Sequence, residues 1–400
     1  MLQPSMPKGS LDIRHLVIDP GDMPLRANGL AIVAQRIAAE QKRAGSKVGL
    51  FYLLKSSLEE PQDIADAPTR LTPMTGVKMG GRFIRLDKHV IDALTADATD
   101  GTIFHIHHGR DPLLLSIASA FRRRGIPYAM TIHGRYSHIF DQENRVVKPL
   151  PAIYLRLFER WVLESAHFVQ AVTPAEREII RRVAPRTSCE LIFNAAYSSS
   201  IDGVPEPPTR MSPSPRFPLF GFCGRYAIEH KGLDLLLKGF AEYRRAGGKG
   251  ALELVGPGPA REQLEALAKS LSIDEYCRIG GPLFGEEKKK VLRTWDFFVL
   301  PSRFDVFPTA GLEAAILGLP LIASKPTGFA EHIVEPPSGL LIEKLSPEAV
   351  AKALLLAERV KKDEWPAMSR AAFNMAVSIG DWTLIARRLV ELYGRPKSLR

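Results

Sequence analysis

The sequence has few cysteines, no long apolar run and none of the common short catalytic motifs. Its three cysteines, Cys189, Cys223 and Cys277, lie far apart. This spacing excludes a disulfide framework or a zinc site and favours a reducing, cytoplasmic environment. No apolar run approaches the roughly 18 residues of a membrane span, and the first residues predict no signal peptide. The sequence contains no HExxH, Walker or nucleophile-elbow motif. Their absence excludes the zinc metalloproteases, P-loop NTPases and α/β-hydrolases that carry these motifs.

The chain has a net charge of +10 and a pI of about 9.5. This excess of basic residues indicates either an anionic partner or basic side chains that are simply exposed to solvent. Short basic clusters occur at 122–124, 181–182 and 288–290, without interleaved aromatic residues. This pattern argues against a nucleic-acid groove and suits anionic small molecules or a negatively charged membrane face. For any single cluster, a solvated helix face is the simpler interpretation.

Apolar strand-like runs alternate with helical periodicity in two successive series, which is typical of doubly wound α/β domains. A stretch rich in Ser and Pro separates the two series and reads as a linker. We therefore predict two Rossmann-like domains facing a cleft. The predicted segments are an N-terminal domain 1–200, a linker 201–217, a C-terminal domain 218–378 and a final helical segment 379–400.

The stretch 297–324 reads FFVLPSRFDVFPTAGLEAAILGLPLIAS and predicts a strand, a loop, a helix and a second strand. Asp305 lies in the loop, and Glu313 lies about one turn into a helix that starts near Thr309. Side chains lean toward the N-terminus of a helix, so both carboxylates can border one pocket at the carboxyl edge of the sheet. A buried helix with one solvated Glu is the alternative at this point.

The segment from Gly224 to Gly232, GRYAIEHKG, links a predicted strand to a predicted helix. The two glycines permit tight turns, and the helix N-terminus offers amide groups to an anion. Arg225 and Lys231 flank the turn and can converge on one anionic group. A phosphate or diphosphate is the natural ligand, although two solvated basic side chains beside a turn are the alternative.

Three further features of the sequence suggest a ligand. The turn Gly256-Pro-Gly258 imitates the start of a dinucleotide fingerprint, but Arg261 stands where the third glycine belongs, so a dehydrogenase is disfavoured. Alternation places His105 and His107 on one strand face, so a metal pair can be imagined, yet no carboxylate or Cys follows at ligand spacing. His133 directly follows a predicted strand, at the edge where a substrate would be met.

Taken together, these motifs resemble family 4 of the retaining glycosyltransferases, nucleotide-sugar enzymes with the GT-B fold. The resemblance is strong over about 218–345, in GFCGRYAIEHKGLDLL, LELVGPGP and the 297–324 stretch. It is weaker in FHIHHG, MTIHG and LIFN before that. The chain also lacks the Asp-x-Asp motif, the metal-chelating device of the other large glycosyltransferase fold. The resemblance implies a C-terminal helix, Trp382–Tyr393, that crosses back onto the N-terminal domain.

The resemblance implies a role for each matching residue. Glu313 would bind the donor ribose, and Asp305 would touch the hydroxyls of the donor sugar. Arg225 and Lys231 would stabilise the departing diphosphate in place of a metal. The remaining expected contacts are the amides of Phe307 and Thr309 to the sugar and diphosphate, Gly29 to the phosphates, His133 to the donor sugar and acceptor, and the backbone around Leu283 to the base.

The function implied is transfer of a hexose, with retention, from a UDP- or GDP-sugar to a saccharide or lipid-linked saccharide. The setting would be bacterial-type polysaccharide or lipopolysaccharide synthesis in the cytoplasm or at the inner face of the plasma membrane. No metal, other cofactor or nucleic acid is expected. The rival interpretations are a GT-B-fold nucleotide-sugar epimerase or phosphorylase, and a catalytically inactive nucleotide-sugar-binding partner.

Several positions depart from the family pattern. Asp305 replaces the commoner Glu and is one methylene shorter, so its sugar contact is expected to be reset or bridged by water. Pro308 supplies no amide. Asn28 precedes Gly29 where a double glycine is usual, and Asn194-Ala195 replaces Asn-Gly. None of these changes removes a charge that the chemistry needs.

Overall fold

The computed structural model describes residues 11–18, 28–55, 67–79, 82–134, 136, 155–210, 212–214, 218–333 and 337–396. By its internal contacts the chain divides into two compact units. The first unit comprises Met1–Phe193 with Trp382–Arg400, and the second comprises Asn194–Asp381. The predicted bounds at residues 200, 217 and 378 stay predictions, which limited proteolysis would test.

A seven-stranded parallel sheet organises the first unit, in the order β3-β2-β1-β6-β7-β8-β9, and β4 and β5 form a separate antiparallel hairpin. The strands are β1 Asp12–Ile18, β2 Lys47–Leu54, β3 Thr69–Pro73, β4 Gly76–Met79, β5 Arg82–Leu86, β6 Thr102–His107, β7 Tyr128–Thr131, β8 Val169–Ala171 and β9 Cys189–Leu191.

The helices of the first unit alternate with these strands along the chain, as they do in a doubly wound sheet. They are α1 Gly29–Arg43, α2 Lys88–Thr95, α3 Leu113–Arg123, a π-helical turn Leu155–Glu159, α4 Arg160–Ser165 and α5 Pro174–Val183. Local sequence explains two of the starts. Asn28 caps α1 by accepting from the amides of Leu30 and Ala31, at 3.0 and 3.2 Å. Thr173 caps α5, where Pro174 occupies the first helical position.

The second unit has a six-stranded parallel sheet in the order β12-β11-β10-β13-β14-β15. Its strands are β10 Leu219–Cys223, β11 Ala251–Val255, β12 Cys277–Gly280, β13 Phe297–Leu300, β14 Leu321–Ser324 and β15 Gly339–Ile342. Its helices are α6 Ile228–Lys231, α7 Leu233–Arg245, α8 Arg261–Ser270, α9 Gly285–Leu292, α10 Thr309–Ile316, α11 Pro347–Arg359 and α12 Trp365–Ile379.

The last helix, α13 Trp382–Tyr393, belongs to the first unit although it follows the whole of the second in the chain. It packs against α1. The Tyr393 hydroxyl lies 2.5 Å from Nδ1 of His105, and His167 Nε2 lies 3.2 Å from the carbonyl oxygen of Leu392. The predicted return of this helix to the N-terminal domain is therefore confirmed.

Each parallel sheet has one point where the strand order reverses direction. In the first sheet this switch lies between β1 and β6, and in the second it lies between β10 and β13. Ligands of open α/β sheets bind outside the carboxyl ends of the strands at such points. The segments that follow these strands therefore carry the candidate functional residues.

Candidate active site

In the second unit, close backbone contacts hold the turn after β10, together with a bond from the Tyr226 hydroxyl to the Gly280 carbonyl at 2.7 Å. The Gly224 amide donates to the Val255 carbonyl at 3.0 Å, and the Tyr226 amide donates to the Pro257 carbonyl at 2.7 Å. A Cβ on Gly256 would lie 1.8 Å from the Gly224 carbonyl oxygen. Gly256 is thus required by internal packing of two turns, and the dinucleotide-like pattern needs no nucleotide to explain it.

Gly232 fixes the far end of the same turn against β13. Its φ of +65° is left-handed, and a Cβ there would lie 2.0 Å from the carbonyl oxygen of Pro301. The close approach brings α6, which ends at Lys231, against the loop that follows β13. The Arg303 guanidinium strengthens this junction by donating to both carboxylate oxygens of Asp234, at 2.7 and 2.8 Å.

This arrangement pairs Lys231 with Asp305. The Lys231 ammonium donates to the Asp305 carboxylate, and the two side chains are only 16% and 13% exposed. Burial opposes ionisation of Asp305, but Lys231, helped by His230 and the Ser302 hydroxyl, outweighs it and holds the pKa of the carboxyl below its usual value. The sequence predicted both residues for the site without predicting that they pair.

Glu313 forms the second ion pair of the site, with Lys288 of α9. Burial opposes the charge of Lys288, yet the Glu313 carboxylate outweighs it and raises the pKa of the lysine. At the sequence level, Lys288 belonged to a basic cluster read as a solvated helix face. The structure instead pairs its ammonium with the carboxylate of Glu313, and this pair was not predicted from the sequence.

Residues of both ion pairs interact electrostatically with one side chain at the end of β10. Lys288, Glu313 and Lys231 all influence the thiol of Cys223, the last residue of β10, whose pKa burial raises to about 11. Cys223 therefore stays a neutral thiol at physiological pH. Residues of both ion pairs thus lie near the carboxyl end of β10, beside the switch point.

Arg225 differs from its neighbours because its side chain is exposed. Its backbone carbonyl accepts from the Ala227 amide at 2.8 Å, but its guanidinium makes neither a hydrogen bond nor an ion pair with any described residue. An arginine in this state keeps its full set of donors for an anion outside the chain.

The amides after Asp305 divide into two groups. Phe307 was expected to offer its amide to the sugar and diphosphate, but that N–H donates to the Thr327 carbonyl at 2.9 Å. The prediction for Phe307 needs correction, because a left-handed φ of 53° and stacking of its buried ring on Phe329 turn this residue inward. Thr309 begins α10, and neither its amide nor that of Ala310 has an acceptor among the described residues.

Two more residues, Leu283 and Gly29, were predicted to contact the donor through their backbone. Leu283 lies in the half-exposed loop between β12 and α9. Gly29 is the first residue of α1, and a Cβ there would meet no described atom within 4 Å. Packing among the described residues therefore does not require a glycine at position 29. The roles of Leu283 and Gly29 stay predictions.

In the first unit, His133 follows β7 in a left-handed conformation with a φ of 53°. Such a conformation is unfavourable for a side chain with a Cβ and needs support. Buried Glu176 provides it, since its carboxylate accepts from the amide of the next residue, Gly134, at 2.6 Å and from the amide of Val172 at 2.8 Å. Glu176 lies in the first turn of α5, and its bond to the residue after His133 was not predicted from the sequence.

The imidazole of His133 continues into a buried row of histidines. Its Nε2 lies 3.2 Å from Nδ1 of His107, and Nε2 of His107 lies 2.9 Å from Nδ1 of His15. His15 Nε2 lies 2.8 Å from Oε1 of Gln41. Burial lowers the pKa of His15 to about 4 and that of His107 well below its usual value, so both rings are neutral.

The histidine cluster could in principle hold a metal ion, since ring nitrogens of His15, His105 and His107 lie within 4.8 Å of one another. The nitrogens are, however, already used. The His15–His107 contact of 2.9 Å has hydrogen-bond length, and His105 contacts the hydroxyls of Tyr393 and Thr131 at 2.5 and 2.7 Å. The donor set therefore forms a hydrogen-bonded network, and a metal would have to break it.

Two family models match the chain. One, described as glycosyl transferases group 1, matches residues 217–357, and one described as a glycosyl transferase 4-like domain matches residues 28–195. The chain belongs to the GT-B glycosyltransferases of the group 1, family 4 type. The resemblance inferred from the sequence motifs is confirmed.

Among curated relatives of this glycosyltransferase is the 2-deoxystreptamine glucosyltransferase of Streptomyces kanamyceticus. It is 24% identical over 266 residues, which cover 64% of this chain and 67% of the relative. A GDP-mannose-dependent alpha-(1-6)-phosphatidylinositol monomannoside mannosyltransferase of Mycolicibacterium smegmatis is 27% identical over 44% of this chain and 48% of its own. The matched region therefore spans from about half to two thirds of these relatives.

Solved structures show the same fold over nearly the whole glycosyltransferase. Sucrose-phosphate synthase from Thermosynechococcus elongatus aligns with a TM-score of 0.70 at 18% identity, covering 96% of this chain and 98% of that one. Anabaena Alr3699/HepE, in complex with UDP and glucose, aligns with a TM-score of 0.71 at 15% identity, covering 95% and 98%. The predicted GT-B fold is confirmed.

Among the described residues, no helix has the length and apolar character needed to span a membrane. This agrees with the absence of a long apolar run in the sequence.

Proposed function

We propose that this glycosyltransferase transfers a hexose from a UDP- or GDP-sugar to a saccharide or lipid-linked saccharide, with retention and without a metal. The observation that carries the proposal is the charge cluster at the switch point of the second sheet. It combines exposed Arg225, the Lys231–Asp305 pair and the Lys288–Glu313 pair. Fixed cations beside a buried carboxylate are suited to a substrate that carries both a diphosphate and sugar hydroxyls.

Each part of the donor would meet a different member of this cluster. The diphosphate would contact Arg225, Lys231 and the first amides of α10, where the helix dipole favours negative charge. Glu313 would accept hydrogen bonds from the ribose hydroxyls, with Lys288 keeping its carboxylate in place. Asp305 would accept from a sugar hydroxyl, and Lys231 would hold that carboxylate ionised.

The reaction would proceed by front-face attack. The bond between the anomeric carbon and the diphosphate oxygen breaks, and a bond from the acceptor oxygen forms on the same face. The acceptor proton passes to the departing phosphate oxygen. Arg225 and Lys231 stabilise the negative charge that collects on the diphosphate, which is the part a metal plays elsewhere. His133 would contact the donor sugar and the acceptor.

The relatives support both donor bases and a saccharide or lipid acceptor. The structure of HepE contains UDP and glucose, and the mycobacterial relative is named as dependent on GDP-mannose and as acting on a phosphatidylinositol mannoside. The net charge of +10 suits an acceptor in an anionic lipid surface, and hence a place in polysaccharide or lipopolysaccharide synthesis.

The test begins with a thermal-shift screen of UDP-, GDP- and ADP-sugars in EDTA. A ligand at 100 times its Kd stabilises the folded state by about 2.7 kcal/mol, so the correct donor should stand out. Transfer to a panel of saccharides and lipid-linked saccharides follows, with the anomeric configuration read by NMR. Turnover of the donor without any acceptor would indicate an epimerase, phosphorolysis would indicate a phosphorylase, and an inverted product would refute the front-face mechanism.

A further inference from the structure

A buried amide side chain lies against the far end of the loop that carries Asp305. Asn194 is the first residue of the second unit, and its side-chain amino group donates to the Phe307 carbonyl at 3.1 Å. This contact decides which way the amide points, because a carbonyl oxygen can only accept. Asn194 is 4% exposed and Phe307 is fully buried, so water cannot take the place of this bond.

Phe307 needs such support because its φ of 53° is left-handed, which is unfavourable for a residue with a Cβ. Its amide donates at 2.9 Å to the carbonyl of Thr327, which ends the 3-10 turn Lys325–Thr327. Its ring stacks on that of Phe329, with the centroids 4.9 Å apart. The bond from Asn194 adds a partner for the carbonyl. Both main-chain polar groups and the ring of Phe307 are therefore held.

Hydrogen bonds also connect this anchor back to Asp305. The Thr327 hydroxyl donates to the Ser324 carbonyl at 2.6 Å, and the Ser324 hydroxyl donates to the Ser302 carbonyl at 2.6 Å. The Ser302 hydroxyl lies 3.4 Å from the Asp305 carboxylate. The three hydroxyl residues are fully buried. The loop from Ser302 to Phe307 is thus bonded at both ends to the segment that begins with the last residue of β14.

The conformation of Phe307 also decides how α10 begins. Only Pro308 separates Phe307 from Thr309, the first residue of α10, and the proline ring fixes its own φ, which is −66°. The direction of the first α10 amides therefore depends on the conformation at Phe307. These are the amides that the proposed function assigns to the diphosphate.

Stability alone does not explain an amide at position 194. The Asn194 Oδ1 is buried and has no hydrogen-bond partner among the described residues, and an unsatisfied buried polar atom is unfavourable. A leucine has nearly the same shape and would remove this oxygen, although the Phe307 carbonyl would then lose its donor. The two effects oppose each other, so what the amide adds is the fixed conformation of Phe307.

We propose that Asn194 is a positioning residue for donor binding. It acts through Phe307, whose conformation presents Asp305 and the first amides of α10 to the nucleotide sugar. This gives a role to the Asn194-Ala195 pair noted in the sequence. The effect on binding rests on the proposed function, whereas the hold on Phe307 does not depend on any ligand.

The Phe307 amide reports this hold without a ligand. Because it is hydrogen-bonded to Thr327, its exchange with deuterium should be slow in the wild type. Hydrogen exchange of the full chain, read by mass spectrometry with electron-transfer fragmentation, compares this amide with the buried amides of β13. Relative to them, we expect exchange at Phe307 to be about tenfold faster in Asn194→Leu, because the loss of one hydrogen bond lets the loop open more often.

Calorimetric titration with UDP and with GDP measures the consequence for binding. The nucleotide that binds the wild type should bind Asn194→Leu about tenfold more weakly, or by about 1.4 kcal/mol. Asn194→Asp is the second variant, since its carboxylate cannot donate to the Phe307 carbonyl but its protonated carboxyl can. The affinity of Asn194→Asp, relative to the wild type at the same pH, should therefore rise as the pH is lowered.

Ser369→Ala is the matched control. The Ser369 hydroxyl donates to the Gly318 carbonyl at 2.6 Å, just beyond the C-terminal end of α10, and Ser369 is fully buried. This variant also removes a buried bond from a side chain to a main-chain carbonyl, but at the end of the helix away from the Asp305 loop. It should lower the urea midpoint and leave the relative exchange at Phe307 and the nucleotide affinity unchanged.

Unchanged exchange at Phe307 in both Asn194 variants would overturn the proposal. Faster exchange with wild-type nucleotide affinity would also overturn it, because Asn194 would then be only structural, and so would an equal loss of affinity in Ser369→Ala. Two Asn194 variants are used because either one alone could fold poorly. A wild type that binds neither nucleotide would instead count against the proposed function, and the exchange result would still decide whether Asn194 holds Phe307.

Discussion

The Lys231–Asp305 pair allows catalysis and stability to be separated by experiment. Lys231→Met removes the ammonium and leaves a carboxylate that is only 13% exposed. Breaking a buried pair costs about 3–5 kcal/mol, and the remaining exposure of both groups lowers our expectation to about 2–3 kcal/mol near pH 7. Urea unfolding measures this loss.

The pH dependence of unfolding has a definite sign. In the wild type the pKa of Asp305 is depressed, so its stabilisation is present above the unfolded pKa of about 3.9 and is lost as the pH falls through the folded value. In Lys231→Met burial dominates and the folded pKa rises. The variant should therefore regain stability as the pH is lowered from 7 to 5, whereas the wild type should not.

The double variant Lys231→Met/Asp305→Asn supplies the control. With both charges removed, stability near pH 7 should return to within about 1 kcal/mol of the wild type, because no buried charge is left unpaired. Transfer should not return. Loss of one preorganised charge costs about 100- to 1000-fold in kcat, and only the lysine itself can supply it. A double variant with near wild-type kcat would refute the catalytic role of Lys231, and an unchanged stability in Lys231→Met would refute the buried pair.

Three further predictions concern neighbouring residues. Glu313→Ala should raise the donor KM about tenfold, a loss of about 1.4 kcal/mol of ground-state binding, and should change kcat little. Steady-state kinetics measures both constants. A fall in kcat alone would show that Glu313 acts in the chemical step. Lys288→Met should raise the same KM by a smaller factor, because Glu313 then loses its partner; equal kinetics in the variant and the wild type would make Lys288 a bystander. Arg225→Ala should leave the free energy of unfolding within about 0.5 kcal/mol of the wild type, since the side chain is exposed, and should strongly lower the rate of sugar transfer. A destabilised variant would instead show that Arg225 is structural.

The sequence predicted much of the fold because the strands are apolar and the helix ends carry clear signals. The last helix was predicted as Trp382–Tyr393 and has those bounds. The region 55–100 was poorly predicted. It holds β3, the hairpin of β4 and β5, and α2, and the sequence pattern indicates only a short strand near Phe83–Leu86. Strands β3 and β4 are largely exposed and lack the apolar run on which the prediction depends.

At the candidate site, local sequence patterns predicted individual residues but not the contacts between them. Arg225, Lys231, Asp305 and Glu313 were predicted because turns and helix starts mark them in the sequence. The pairing of Lys231 with Asp305 joins residues far apart in the chain, through a glycine whose need is visible only beside Pro301. The amide of Phe307 was misassigned for the same reason, since the carbonyl that accepts from it belongs to the 3-10 turn Lys325–Thr327 after β14.

We propose that the cations at the switch point bind a nucleoside diphosphate without a metal. Calorimetric titration of UDP and of GDP in EDTA tests it without needing an acceptor. We expect one of the two to bind the wild type, and its affinity to fall at least about 100-fold, or about 2.7 kcal/mol, in Arg225→Ala/Lys231→Met/Asp305→Asn, whose fold is checked by urea unfolding. Equal binding by the variant, or binding by the wild type only after a divalent metal is added, would contradict metal-independent binding by these cations.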